Sequence, residues 1–256
     1  MDYTIEQPGH GQAQAFLEQR LDQNLPILGS LLFEPLELLQ GVWHAGQLAA
    51  LAVVAPGEPN IPGSLPTVMV EAQSAAALAA LHAAGGYPPR AVWSVQQLEH
   101  RAQLEVLLGQ QYDPVRGAVF FIAEGEPPQA TPARQVLAGD ATLDLSACDL
   151  STIALSFWIL RGWRMFGVIE DNRLLGHALA AYPIADTEEI AAVFTAAEAR
   201  RRGIASACVA AAAADIRRRG KRAVYVARKT NHASIAVAEH LGMRRICETW
   251  EIEVRP

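Results

Sequence analysis

Glu189-Ile190-Ala191-Ala192-Val193-Phe194-Thr195-Ala196-Ala197-Glu198-Ala199-Arg200-Arg201-Arg202-Gly203-Ile204-Ala205-Ser206 is the stretch that decides the fold. Glu188 to Thr195 reads as an apolar strand. A short loop with three arginines follows, then Gly203, then an alanine-rich helix predicted over 204–219 and stopped by Gly220. The first turn of a helix leaves amide donors unsatisfied and carries partial positive charge. Glycine there lets a ligand approach the backbone, and arginines add charge-assisted donors. That chemistry suits a diphosphate. The loop is neither G-x-G-x-x-G after a first strand nor G-x-x-x-x-G-K-S/T, which disfavours a dinucleotide fold and a P-loop.

The surrounding elements extend the pattern. A helix is predicted over 152–161, and strands over 165–170 and 174–182 flank the turn Asp171-Asn172-Arg173. A strand over 223–227 follows the long helix, Asn231 caps a helix to about His240, and 245–254 reads as one strand. The order is an antiparallel meander, a βαβ crossover, a helix and a last strand. A second motif, Thr230-Asn231-His232-Ala233-Ser234-Ile235-Ala236-Val237-Ala238-Glu239-His240-Leu241-Gly242-Met243, lies at the C-terminal side.

The two motifs together resemble the GNAT superfamily of acetyl-CoA-dependent N-acetyltransferases. Arg200, Gly203 and Ala205 supply the family's Arg/Gln-x-x-Gly-x-Gly/Ala motif, and Asn231 to Met243 resembles its N-x-x-S/A…L-G-F/M segment. The resemblance covers about residues 140–256 and looks closest to a bacterial two-domain branch. It implies an α/β (α+β) fold with a mixed, mainly antiparallel sheet in the C-terminal half. It further implies that backbone groups of Val193, Phe194 and Thr195 pair with the pantetheine arm of acetyl-CoA. Arg200, with the amides of Arg201, Arg202, Gly203, Ile204, Ala205 and Ser206, would hold the diphosphate, and Asn231 would bond the cofactor near the last helix.

The first half is less informative. A helix is predicted over 12–21, strands over 40–44, 48–54 and 67–70, a helix capped by Ser74 and ending at Ala84, a strand over 91–95, a helix over 96–108 and a strand over 118–123. This is a smaller, divergent α/β domain. Its element order admits a degenerate copy of the same fold, and its lack of an Arg-x-x-Gly-x-Gly loop predicts no second cofactor site. The Pro-rich segment Glu124–Pro132 reads as a linker, which places domains at 1–130 and 131–256.

Composition bounds the chemistry. The chain has 256 residues, 51% hydrophobic and 19% charged, which excludes disorder as its main state. Net charge of −6 argues against general nucleic-acid binding. Residues 1–140 carry 5 basic and 14 acidic side chains, so the remaining residues are net positive, mostly between Arg200 and Lys229. A local basic zone in an acidic chain suits a small polyanion better than a polymer. No apolar run suggests a membrane span, and no start suggests a signal peptide. Cys148, Cys208 and Cys247 form no C-x-x-C, so a reduced, cytoplasmic setting is expected and no metal is called for.

Acyl transfer to a primary amine needs a proton acceptor. Glu189 occupies the strand position where the resemblance implies a catalytic glutamate, and an apolar cleft would raise its pKa toward base work; the alternative is a solvated strand-end carboxylate. The family's usual tyrosine, seven residues after the asparagine, is here Ala238. His232 or Ser234 could substitute as acid, or the thiolate leaves unassisted. His177 and Tyr182 are expected at the surface, Cys208 in packing. Arg217, Arg218 and Arg219 are expected to form a solvated helix end, although one of them could reach a 3′-phosphate. A pocket from Phe157, Trp158, Trp163 and the hairpin would take the acceptor, a small-molecule or peptide amine; a homodimer is admitted. The competing readings are a non-catalytic acyl-CoA-binding or sensing protein and a transferase using a longer acyl-CoA.

Overall fold

A computed structural model describes residues 2–57, 63–113, 116–125, 132–137, 140, 142–148 and 150–255. The chain divides into two compact units, Met1–Ala118 with Cys247–Pro256, and Val119–Ile246. Each takes half of the residues, so the first is not the smaller. The break expected near residue 130 differs from this division, and most of the expected linker, residues 126–131, lies outside the described residues.

The second unit is built on a seven-stranded sheet in the order β12-β6-β11-β10-β9-β8-β7. Its strands are β6 (Ala118–Ala123), β7 (Arg134–Val136), β8 (Arg164–Glu170), β9 (Arg173–Ile184), β10 (Thr187–Thr195), β11 (Arg222–Arg228) and β12 (Arg244–Glu248). Strands β7 to β10 form an antiparallel meander, and Asp171 and Asn172 make the β8–β9 turn with φ of 50° and 62°. The crossover helix α6 (Ile204–Arg218) then returns the chain so that β11 runs parallel to β10. Helix α6 buries Ile204, Cys208, Ala212 and Ile216 against Phe166, Val168, Ala178 and Ile190. The 4-residue spacing puts these on one stripe, and the small side chains let the helix lie close to the sheet. The opposite sheet face packs Met165, Leu174, Leu179 and Ala181 with Leu155 of α5 (Thr152–Leu160).

The first unit repeats this plan. Its six-stranded sheet runs β1-β2-β3-β4-β5-β13. The members are β1 (Tyr3–Glu6), β2 (Leu38–His44), β3 (Gln47–Ala55), β4 (Thr67–Ala72), β5 (Ala91–Val95) and β13 (Trp250–Val254). Strands β2, β3 and β4 are antiparallel, α3 (Ala75–Ala84) crosses over, and β5 is parallel to β4. The remaining helices are α1 (His10–Glu18), α2 (Leu21–Phe33), α4 (Leu98–Leu108) and, in the second unit, α7 (His232–His240).

Two expectations about the elements need correction. The helix predicted over 12–21 is α1, and a second helix, α2, follows it with Pro26 inside. Proline opposes a helix interior, but Leu25, Ile27, Leu28 and Leu31 are all buried, and that burial prevails. The single strand over 245–254 is two strands in different sheets, parted at Thr249. Thr249 is buried, its hydroxyl accepts from the Ala118 amide at 2.8 Å, and its own amide donates to the Ala118 carbonyl. Each sheet therefore holds a strand from the other half of the sequence, β6 in the second and β13 in the first.

One glycine governs how closely α6 approaches the sheet. A Cβ at Gly176 of β9 would lie 2.6 Å from Cγ2 of Ile204 and 2.8 Å from the Phe194 carbonyl oxygen. Gly176→Ala is expected to lower stability by about 1–3 kcal/mol. Urea unfolding should show a reduced midpoint with an unchanged m value.

Candidate functional site

Strands β10 and β11 pair only from Thr187↔Arg222 to Ile190↔Tyr225. Past that point β10 leaves its neighbour. Ala192 adopts φ of 47°, and the β9–β10 register shifts between Ala191 and Phe194. This β-bulge bends the strand and ends its parallel pairing. A cleft of about 650 Å³ opens there. It is lined by Val193, Phe194 and Thr195 of β10, by Arg200, Arg201, Gly203, Ile204, Ala205 and Ser206 of the loop and α6, by Tyr225 of β11, and by Asn231, Ala233, Ser234, Ala236 and Val237 around α7.

The helix end in this cleft is built for an anion. Gly203, with φ of 76°, precedes α6, no side chain caps it, and the first amide to find a carbonyl four residues back is Ala207 at 2.9 Å. The amides of Ile204, Ala205 and Ser206 are therefore available to the cleft. Arg201 is also left-handed at φ of 62°, an uncommon conformation for a side-chain-bearing residue. Arg200 is tied back by an Nε bond to the Thr195 carbonyl at 3.4 Å, which holds its guanidinium beside the strand end. Asn231 caps α7 by accepting the Ser234 amide at 3.1 Å and also lines the cleft.

Ten of the eleven residues expected to hold a cofactor lie together on this cleft. Arg202 is the exception: it turns to Glu170 at 2.5 Å and is absent from the lining. Of the arginines at the other end of α6, Arg218 and Arg219 bond Asp215, Arg219 also bonds Glu188, and Arg217 donates to the Gly125 carbonyl. Glu188 is 2% exposed and also pairs with Arg164, which in turn bonds Asp215 at 2.7 Å. These groups form a structural network on the α6 side of the sheet.

Glu189 points to the other face, opposite Ala181 and Val224, one residue before the strands part. It does not line the cleft. Burial pushes its carboxyl up to about 7. On the same face Trp163 packs on Tyr182 at 4.6 Å, and His177 lies between Trp158 and Phe194 at 6.0 Å from each. His177 is thus not a surface residue. It is 4% exposed, burial lowers its pKa to about 4, and its Nδ1 meets no partner. Cys208 is buried in packing, as expected, with its thiol raised to about 12.

Sequence reasoning missed Tyr225. It is the last residue of β11 paired to β10, and its phenol lies in the α6-side core together with Ala238. Its hydroxyl is shielded from solvent, sits close to Ser234, and meets no partner at full hydrogen-bond geometry. Burial raises its pKa, an effect that Ser234 partly offsets. The only advance signal was a phenol in an otherwise apolar strand run, Ala223-Val224-Tyr225-Val226-Ala227.

The acetyltransferase (GNAT) family profile matches residues 143–243. Solved structures match the whole chain in fold at low identity. A GCN5-related N-acetyltransferase from Sphaerobacter thermophilus is 16% identical over 99% of this chain and 96% of its own, with a TM-score of 0.66. A GNAT-family acetyltransferase from Colwellia psychrerythraea is 13% identical over 100% of both chains, also at 0.66. A tandem GNAT protein from the clavulanic acid biosynthesis pathway is 15% identical over 100% of this chain and 99% of its own, at 0.60. No curated protein is significantly similar in sequence.

Adjacent glutamates with opposite roles make a paired test. Glu188→Gln removes a buried charge from two arginines and should cost about 2–3 kcal/mol at neutral pH. Glu189 behaves inversely: its folded pKa lies above the unfolded one, so its ionisation weakens the fold as pH rises from about 4.5 toward 7. Glu189→Gln is expected to stabilise the protein by roughly 1–3 kcal/mol at pH 8 and to leave it unchanged at pH 4. Denaturant midpoints of the two variants at both pH values check this.

Proposed function

We propose, on the premise that residues 143–243 form a GNAT acetyltransferase domain, that the protein is an acetyl-CoA-dependent N-acetyltransferase acting on a primary amine of a small molecule or peptide. The observation that carries this reading is the coincidence of parted parallel strands with an uncapped helix N-terminus and two arginines in one cleft. An anionic diphosphate suits the α6 amides with Arg200 and Arg201. An extended amide-bearing arm suits the edge of β10 at Val193–Thr195, which β11 no longer covers. Asn231 borders the same path.

The bound thioester would supply an activated acyl carbon. In the transfer an amine nitrogen replaces sulfur on that carbon; the nitrogen gives up a proton and the sulfur gains one. Glu189 is the proton acceptor in this reading. Its carboxyl, near 7, is ionised often enough at neutral pH and basic enough to take a proton, directly or through one water. The aromatic face of Trp158, Trp163 and Tyr182 receives the acceptor on the same side of the sheet. Tyr225 holds a proton on the α6 side, its raised pKa keeping the phenol neutral and able to donate toward the sulfur, with Ser234 beside it. Ala238 leaves no phenol at its own position on α7.

Free thiol released from acetyl-CoA in the presence of a panel of primary amines tests the activity. Release is expected, and Arg200→Ala with Arg201→Ala should raise the coenzyme A Kd about tenfold or more. Coenzyme A binding without release for any amine would instead favour an acyl-CoA sensor. With an active amine, kcat/KM should climb with pH up to about 7 and then level. Glu189→Gln should lose that limb and about 10²-fold or more in rate, and Tyr225→Phe should lower kcat while leaving coenzyme A affinity intact.

A further inference from the structure

The first unit holds a second cavity, of about 750 Å³, between the α1–α2 junction and the segment that leads from β5 into α4. Strands β4 and β5 pair only from Thr67↔Val92 to Met69↔Ser94. Two residues beyond, Glu71 and Gln96 stand at the open ends. Gln96 lines the cavity and is 5% exposed, yet neither its amide oxygen nor its amide nitrogen meets a partner. Gln97, also lining it, donates its amide nitrogen to Glu71 Oε1 at 2.5 Å. The second oxygen of Glu71 is buried and unpaired. Buried polar groups are nearly always satisfied, so a carboxamide with both ends unmet on the wall of one cavity calls for a ligand that satisfies it.

The rim shows the sign of that ligand. Glu18, Asp22 and Glu99 line the cavity against one cation, Arg20, whose guanidinium lies 3.6 Å from Glu71 Oε1. Glu18 also accepts from Gln14. A coenzyme A diphosphate has no seat here. Only Gln73 and Ser74 separate β4 from α3, and the Ser74 hydroxyl already accepts the Ala77 amide at 3.2 Å. We propose that this cavity binds a small organic cation carrying an amide group: the ammonium meets the rim carboxylates, and the amide pairs donor-to-acceptor with the carboxamide of Gln96.

Calorimetry and thermal shift on the full chain, without coenzyme A, test the site with lysinamide, putrescine and N-acetylnorleucinamide. Lysinamide should bind one to one, and putrescine and N-acetylnorleucinamide at least tenfold more weakly, since each lacks one feature. Gln96→Leu should raise the melting temperature of the ligand-free protein, because it removes the unsatisfied amide, and should abolish lysinamide binding. Glu99→Gln, at an exposed position, should weaken lysinamide several-fold while lowering the melting temperature only slightly, since it removes one first-turn carboxylate of α4. Equal binding of all three compounds, no binding of lysinamide, or lysinamide binding retained by Gln96→Leu would overturn the proposal; the last would place the cation in the second unit's acceptor pocket. Because no arm uses acyl transfer, a failure here is separable from a failure of the acetyltransferase reading.

Discussion

The parting of β10 from β11 is the constraint on which the rest of the second unit depends. Two parallel strands that stayed paired along their whole length would satisfy each other and leave no edge for a ligand. Here pairing lasts for four residues, Thr187 to Ile190, and the Ala192 bulge then swings β10 aside. The same departure exposes the backbone of β10 and brings its end to the uncapped start of α6. Gly176 keeps Ile204 close enough for that helix start to border the cleft. A strand edge rich in amides and a helix end rich in donors thus meet at one place, and each is costly to leave unmet in a folded chain.

Alternation along β10 then separates two kinds of chemistry. Glu188 faces α6 and is neutralised by arginines, so its charge is stable and inert. Glu189, one residue on, faces the aromatic side without such a partner, and its carboxyl sits near neutrality. The pleat of a strand, with side chains pointing alternately up and down, makes this division with no other device. The first unit shares the short parallel pairing but not the glycine–arginine loop, and past the end of β5 it carries two glutamines beside a rim of carboxylates.

Much of this was legible in the chain. The hairpin about Asp171-Asn172, the long helix from Ile204, the cap at Asn231 and the strands 91–95 and 118–123 follow from local turn chemistry and periodicity. The cleft residues were legible because the diphosphate site lies within one continuous segment. The misses have a common cause. Helix α2 was hidden by Pro26, a local signal overruled by burial of its leucines. Arg202 could not be told from Arg200 or Arg201 until Glu170 was brought near. His177 looked like a surface residue until α5 covered its face. Tyr225 became interesting only when its neighbours across the sheet were known.

What the amino-acid sequence determined alone is therefore whatever rests on residues close in the chain: the strand–loop–glycine–helix unit, the capped last helix, and the order of elements that implies a mixed sheet. What the tertiary structure decided is everything requiring residues far apart to meet: the place of β6 and β13 in the sheets, the ion-pair network around Glu188, the half-buried setting of Glu189, the burial of His177, and the polar cavity of the first unit. Local backbone preferences act over a few residues. Burial and electrostatic environment are properties of the surroundings, which exist only once the chain has folded.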